Sequence, residues 1–111
     1  MSRTLRTLIG KTAYVETMFA AIERLRKNGY GIDLSAAPES RLLCGACGDF
    51  AEAADATVEE IVRFEGDSNP DDQAILIAVF TPCGHRGLYV APYGPNAPAL
   101  DAQLLRALSA R

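Results

Sequence analysis

From Thr12 to Asn28 the apolar residues Tyr14, Val15, Met18, Phe19, Ile22 and Leu25 return at steps of three and four. That spacing puts them on one side of a 3.6-residue spiral, the stripe of an amphipathic helix. Thr12 offers a side-chain oxygen to cap the first turn, and Gly29 can take the left-handed conformation that ends a helix. Arg24, Arg26 and Lys27 lie in the last turns, where positive charge complements the exposed carbonyls. A shorter helical turn before Gly10 is compatible with the same pattern.

After Gly29 the period changes. Tyr30 to Glu39 reads as a connection with one short extended piece, because Gly31 and Pro38 interrupt anything longer. Arg41 to Leu43 and Asp49 to Glu52 flank a pair of cysteines and suit the two short strands of a tight hairpin. Val58, Glu60, Val62 and Phe64 alternate along a third strand, half-buried, with Ile61 off the pattern. Ala74 to Phe80 is apolar at every position, as expected of a central strand covered on both faces. Gly87 to Ala91 makes a short last strand that stops at Pro92. At the C-terminus Leu100, Leu104, Leu105 and Leu108 share one helical face, with Asp101 near the start and Arg106 and Arg111 toward the end. The expected architecture is a single α+β domain over residues 1–111. It has an N-terminal helix, an antiparallel sheet of four or five strands with a zinc-ribbon-like pair of knuckles, and a C-terminal helix.

Composition agrees with one compact domain: 111 residues, 49% of them hydrophobic and 23% charged. The longest uninterrupted apolar run, Ala74 to Phe80, is far short of the about 20 residues a membrane span needs, so no membrane partner is expected. No export signal is visible near Arg3 and Arg6, which places the protein in the cytoplasm as an expectation. Eleven basic against fourteen acidic residues leave a net charge of -3, without the basic footprint that binding to nucleic acid requires. The charge is uneven, with six basic and two acidic residues up to Lys27. Such a run reads first as a solvated face, or as a surface for the acidic remainder of the same fold.

Three cysteines cannot form a closed set of internal disulfides. Their placement says more. Cys44-Gly45-Ala46-Cys47-Gly48 is a two-thiolate knuckle, in which two intervening residues let both sulfurs turn toward one point and glycines admit the tight backbone. Thr81-Pro82-Cys83-Gly84-His85 holds the third cysteine and the chain's one histidine. All four soft donors thus fall in two short turns, each beside an expected strand. Three thiolates and one imidazole make a four-coordinate Cys3His set suited to zinc, and with every corner supplied by protein such a site is structural. Zinc with three thiolates carries one net negative charge, which Arg86 and the knuckle N–H groups can offset. Iron is the alternative metal, although three sulfurs with one histidine is a less usual cluster set.

Other readings use the same or neighbouring residues. Unligated, Cys44, Cys47 and Cys83 are small buried hydrophobes and His85 a surface turn residue. Cys44 and Cys47 can also be read as a thiol redox pair, but such a motif wants a helix N-terminus behind it, and Gly48-Asp49-Phe50 looks like the start of a strand. The acidic turn with Glu65, Asp67, Asp71 and Asp72 offers carboxylates for a hard cation, without the full spacing or central glycine of a calcium loop. A turn in which Asn69 and Asp71 bond local backbone is the simpler reading. Tyr89 and Tyr93 with Pro92-Tyr93-Gly94-Pro95 suggest an aromatic ligand rim or a packed strand-to-helix linker. Serine and threonine nucleophiles lack a base, since His85 is better used on metal, and no Gly-rich phosphate loop is present.

The stretch Val62-Arg63-Phe64-Glu65-Gly66-Asp67-Ser68-Asn69-Pro70-Asp71-Asp72, the apolar strand after it and the later Pro92-Tyr93-Gly94 carry a resemblance. The chain resembles a family of small bacterial proteins of about its own size, often labelled phosphoribosylpyrophosphate synthetase. The likeness runs from Arg26-Lys27-Asn28-Gly29-Tyr30 to the final helix. It implies a shared fold rather than that activity, whose nucleotide and pyrophosphate loops these residues do not supply. Many members of the family have no counterpart of Cys83-Gly84-His85, which implies that zinc here is a local reinforcement of a fold that exists without it. Taken together, the expected role is a non-enzymatic interaction or regulatory module for a protein or small-molecule partner. The alternatives are a ligand- or cation-binding protein or enzyme using the acidic turn, and a thiol redox protein.

Overall fold

The structure, a computed structural model, describes residues 17–64, 74–92 and 97–109. Helix α1 spans Met18–Lys27, six strands come next as β1 (Ile32–Ala37), β2 (Arg41–Cys44), β3 (Phe50–Glu52), β4 (Thr57–Phe64), β5 (Ala74–Phe80) and β6 (Arg86–Pro92), and helix α2 covers Ala99–Ser109. The α+β arrangement expected from the pattern is the one observed. The sheet is larger than four or five strands and is not purely antiparallel. Its order is β3-β2-β1-β6-β5-β4, with β1 and β6 parallel and every other pair antiparallel.

The described helix α1 begins at Met18, where the Thr17 side chain accepts from the Ala20 N–H at 3.0 Å, rather than at Thr12, which lies outside the described residues with Tyr14 and Val15. Its end is as expected. Gly29 has a φ of 102°, and the Tyr30 and Gly29 N–H groups close back onto Leu25 and Arg26, a Schellman turn that satisfies two orphan carbonyls. Ala21 and Leu25 lie against Val62, Leu76, Ala78 and Leu88 on one face of the sheet. Arg24 forks onto both oxygens of Glu60 at 3.3 and 2.8 Å and holds the helix to β4.

Helix α2 packs on the opposite face, with Leu104 and Leu108 buried among Leu34, Leu42, Ile75, Ile77, Val79 and Tyr89. Leu100, expected on the same stripe, stands in the first turn and is 39% exposed. β5 is buried along its middle on both faces, Ile75, Ile77 and Val79 toward α2 and Leu76 and Ala78 toward α1. That is what a continuous apolar run requires.

Two departures have clear causes. The segment expected as a connection with one extended piece is a six-residue strand inside the sheet: Ile32, Leu34 and Ala36 alternate toward α2, and β2 and β6 satisfy its two edges. Ile61 falls off the alternation because the β4–β5 register shifts between Val58 and Glu60, a bulge that turns Val58 and Ile61 to one face and Val62 and Phe64 to the other. Glu59, the extra residue, accepts from the Tyr30 hydroxyl and meets Arg86 Nε at 3.2 Å. These partners, Tyr30 foremost, hold the Glu59 carboxyl below its ordinary range. Among the described residues no helix is long and apolar enough to cross a membrane.

Candidate metal centre

Strands β2 and β5 run the same way, since each is antiparallel to one member of the parallel β1–β6 pair. Their C-terminal ends, and the turns beyond them, therefore emerge together at the end of the sheet where β1 begins. This topology brings residues 44–48 beside residues 81–85.

Cys44 is the last residue of β2 and is 1% exposed, its side chain part of the core beneath α2. The chain then turns tightly: the Gly48 N–H reaches the Cys44 carbonyl and the Cys44 N–H reaches Asp49, both at 2.9 Å, and Gly48 takes a φ of 75°. The Gly45 N–H donates to the Asp33 carbonyl at 2.9 Å, which pins the knuckle to β1. Cys47 is exposed at the outer corner.

The second turn is organised by Thr81, which sequence reasoning used only as part of a motif. Thr81 is 1% exposed. Its backbone N–H donates to the His85 carbonyl, and the Gly84 N–H donates back to the Thr81 carbonyl, with Gly84 at a φ of 90°. Its hydroxyl lies 3.1 Å from Cys83 Sγ and 3.0 Å from the His85 carbonyl, and accepts the His85 N–H at 3.3 Å. A buried hydroxyl must find such partners. The visible signal is a threonine at the end of an apolar strand, ahead of a Pro-Cys-Gly turn.

The two turns bring Cys44, Cys47, Cys83 and His85 together, with all four ligand atoms within 4.8 Å of one another. Cys47 Sγ and Cys83 Sγ are 3.5 Å apart, and His85 Nδ1 is 3.3 Å from Cys83 Sγ and 3.6 Å from Cys44 Sγ. A tetrahedral ion with bonds of about 2.3 Å to sulfur and 2.0 Å to nitrogen would set sulfurs about 3.8 Å apart and sulfur and nitrogen about 3.5 Å apart. These three separations lie close to those edges, and the cluster can hold a metal ion.

The Cys83 and Cys47 thiols are unequal. The Thr81 hydroxyl first, then His85 and the other two cysteines, pull the Cys83 thiol down to about 6 against the effect of desolvation. For Cys47 the Asp49 backbone N–H pulls down, but the bond to Cys83, desolvation and Cys44 outweigh it and lift the thiol to about 11. Cys83 thus ionises before Cys47, and a cation among the sulfurs would favour the charged form of each.

Several other sequence readings meet the structure here. The residues after Cys47 lead into β3 and not into a helix. Arg86, expected to offset the site's charge, has its guanidinium on Glu59 and over the Phe80 ring, 4.9 Å from its centroid. Tyr89 is no rim residue: it is 1% exposed, and its hydroxyl donates to Asp101 in the first turn of α2. Tyr93 and the acidic turn Glu65, Asp67, Asp71 and Asp72 lie outside the described residues. No family model, curated protein or solved structure matches the chain.

Proposed function

We propose that this chain is a small zinc-binding domain whose Cys44, Cys47, Cys83 and His85 form a structural site. On this reading it is a non-enzymatic interaction or regulatory module for a protein or small-molecule partner. The observation that carries the reading is the convergence of four protein ligand atoms within 4.8 Å. With all four vertices occupied by side chains, no position is open for water or substrate, the arrangement of a structural rather than a catalytic zinc. Zinc is favoured over harder cations by the three sulfurs. The site ties the β2–β3 hairpin to the β5–β6 hairpin across the start of β1, so the metal adds its affinity to the stability of the folded state.

The test is elemental analysis of the purified chain together with Cys83→Ser. The expected result is one zinc per chain in the parent protein, and loss of zinc with a lower melting temperature in the variant. Unchanged zinc and unchanged melting temperature would reject the site. Iron in place of zinc would keep the geometry and correct the metal.

A further inference from the structure

Resting on that zinc reading, we infer that Cys47 and Cys83 form an oxidation site for hydroperoxides: their conversion to a disulfide expels the metal while leaving the two hairpins tied together. The three sulfurs of the cluster are not equivalent in access. Cys44 is buried in the core, whereas Cys47 and Cys83 are both exposed at the tips of their turns. A small polar oxidant therefore meets these two sulfurs first. They are also neighbours, 3.5 Å apart and drawn from turns 36 residues apart in the chain. To bond they need only close to about 2.05 Å.

The chemistry balances with a hydroperoxide as the two-electron oxidant. One of these two exposed thiolates attacks the peroxide O–O bond, giving a sulfenic acid on that sulfur and releasing hydroxide, or an alkoxide if the peroxide is organic. The thiolate of the other, 3.5 Å away, then attacks that sulfur, forming the S–S bond and expelling a second hydroxide. Two thiolates lose one electron each, and the two oxygens of the peroxide take them up. With two of its four ligands gone, the site no longer holds zinc, which is released as the hydrated ion.

Which sulfurs pair decides the fate of the oxidised domain. A Cys44–Cys47 bond would close only the knuckle on itself and free residues 81–85. A Cys47–Cys83 bond replaces the metal tie with a covalent one between the same two turns, so zinc release need not unfold the domain. The device thus exchanges a metal for a disulfide rather than native for denatured structure.

The experiment uses the purified full chain, assayed for zinc first and then treated with a ten-fold excess of hydrogen peroxide while a chromogenic chelator reports free zinc. The expected result is release of one zinc per chain, a mass loss of about two hydrogens, a peptide cross-link joining Cys47 to Cys83, and Cys44 alone open to alkylation after denaturation. Thiol reductant with added zinc should restore the starting state, and the oxidised chain should melt above the reduced, metal-free chain. A protein with one zinc that keeps it under peroxide overturns the oxidation site alone. So does a cross-link between Cys44 and Cys47, or over-oxidation without any cross-link. A protein with no metal before treatment overturns the zinc reading, and the exchange with it.

Discussion

The amide of Gly45 approaches the carbonyl oxygen of Asp33 so closely, at 2.9 Å, that a Cβ on residue 45 would stand 2.5 Å from that oxygen. Both groups are backbone, so neither can swing aside. A methyl there must lift the knuckle off β1 and with it the sulfurs of Cys44 and Cys47. Gly45→Ala should therefore cost about 1–3 kcal/mol in urea unfolding and lower zinc content. Gly31→Ala, at a glycine with open space and no left-handed φ, is the control and should be neutral or slightly stabilising. Equal behaviour of the two variants would contradict the close approach.

Cys44 and Cys47 should separate once metal is removed. With zinc present, replacing either by serine removes a ligand and both variants lose metal. In excess chelator, Cys47→Ser should match the parent to within about 0.5 kcal/mol, since its side chain is exposed. Cys44→Ser should still cost about 1–3 kcal/mol, because a hydroxyl takes the place of a buried sulfur. Chelator titrations followed by thermal melts would read both.

The Tyr89 hydroxyl is lifted above its ordinary titration range, first by burial and then by the bond to Asp101. A raised folded-state value means that the folded chain keeps a proton the unfolded chain loses. The stabilising effect is complete below the unfolded value of about 10 and is lost as pH rises above it. Tyr89→Phe should lose about 0.5–1.5 kcal/mol at neutral pH and show a shallower loss of stability above pH 10 than the parent. Stability curves of identical slope in that range would remove Tyr89 as the cause.

Leu104 and Leu100 test which side of α2 meets the core. Leu104 is 0% exposed and Leu100 39%. Leu104→Ala should cost about 2–5 kcal/mol, with a cavity left beneath the helix. Leu100→Ala should stay within about 0.5 kcal/mol of the parent. Chemical unfolding of the pair decides it.

Legibility in the sequence varies from element to element. Period-3.6 stripes announce both helices, though Leu100 shows that a stripe marks a direction and not the depth of contact. The seven apolar residues 74–80 suit a strand buried on both sides, because a one-faced strand would leave alternate residues of the run in water, and the run is short for a helix. β1 is harder to see: Asp33 and Ser35 interrupt it, and its edges become satisfied only when β2 and β6 arrive from elsewhere in the chain. Ile61 is visibly out of phase, but a bulge belongs to a pair of strands and has no expression in one of them.

The four donor residues and their grouping into two turns are properties of the chain, written in residue types and spacing alone. That the two turns share a location is not. It results from the parallel pairing of β1 with β6, which aligns β2 with β5 and delivers both turns to the same end of the sheet. Local composition encodes what a segment can ligate and how tightly it can bend, whereas strand order and direction arise from long-range burial on two helices. For that reason Thr81, an ordinary residue in the chain, becomes the buried anchor of the second turn only once the sheet has formed around it.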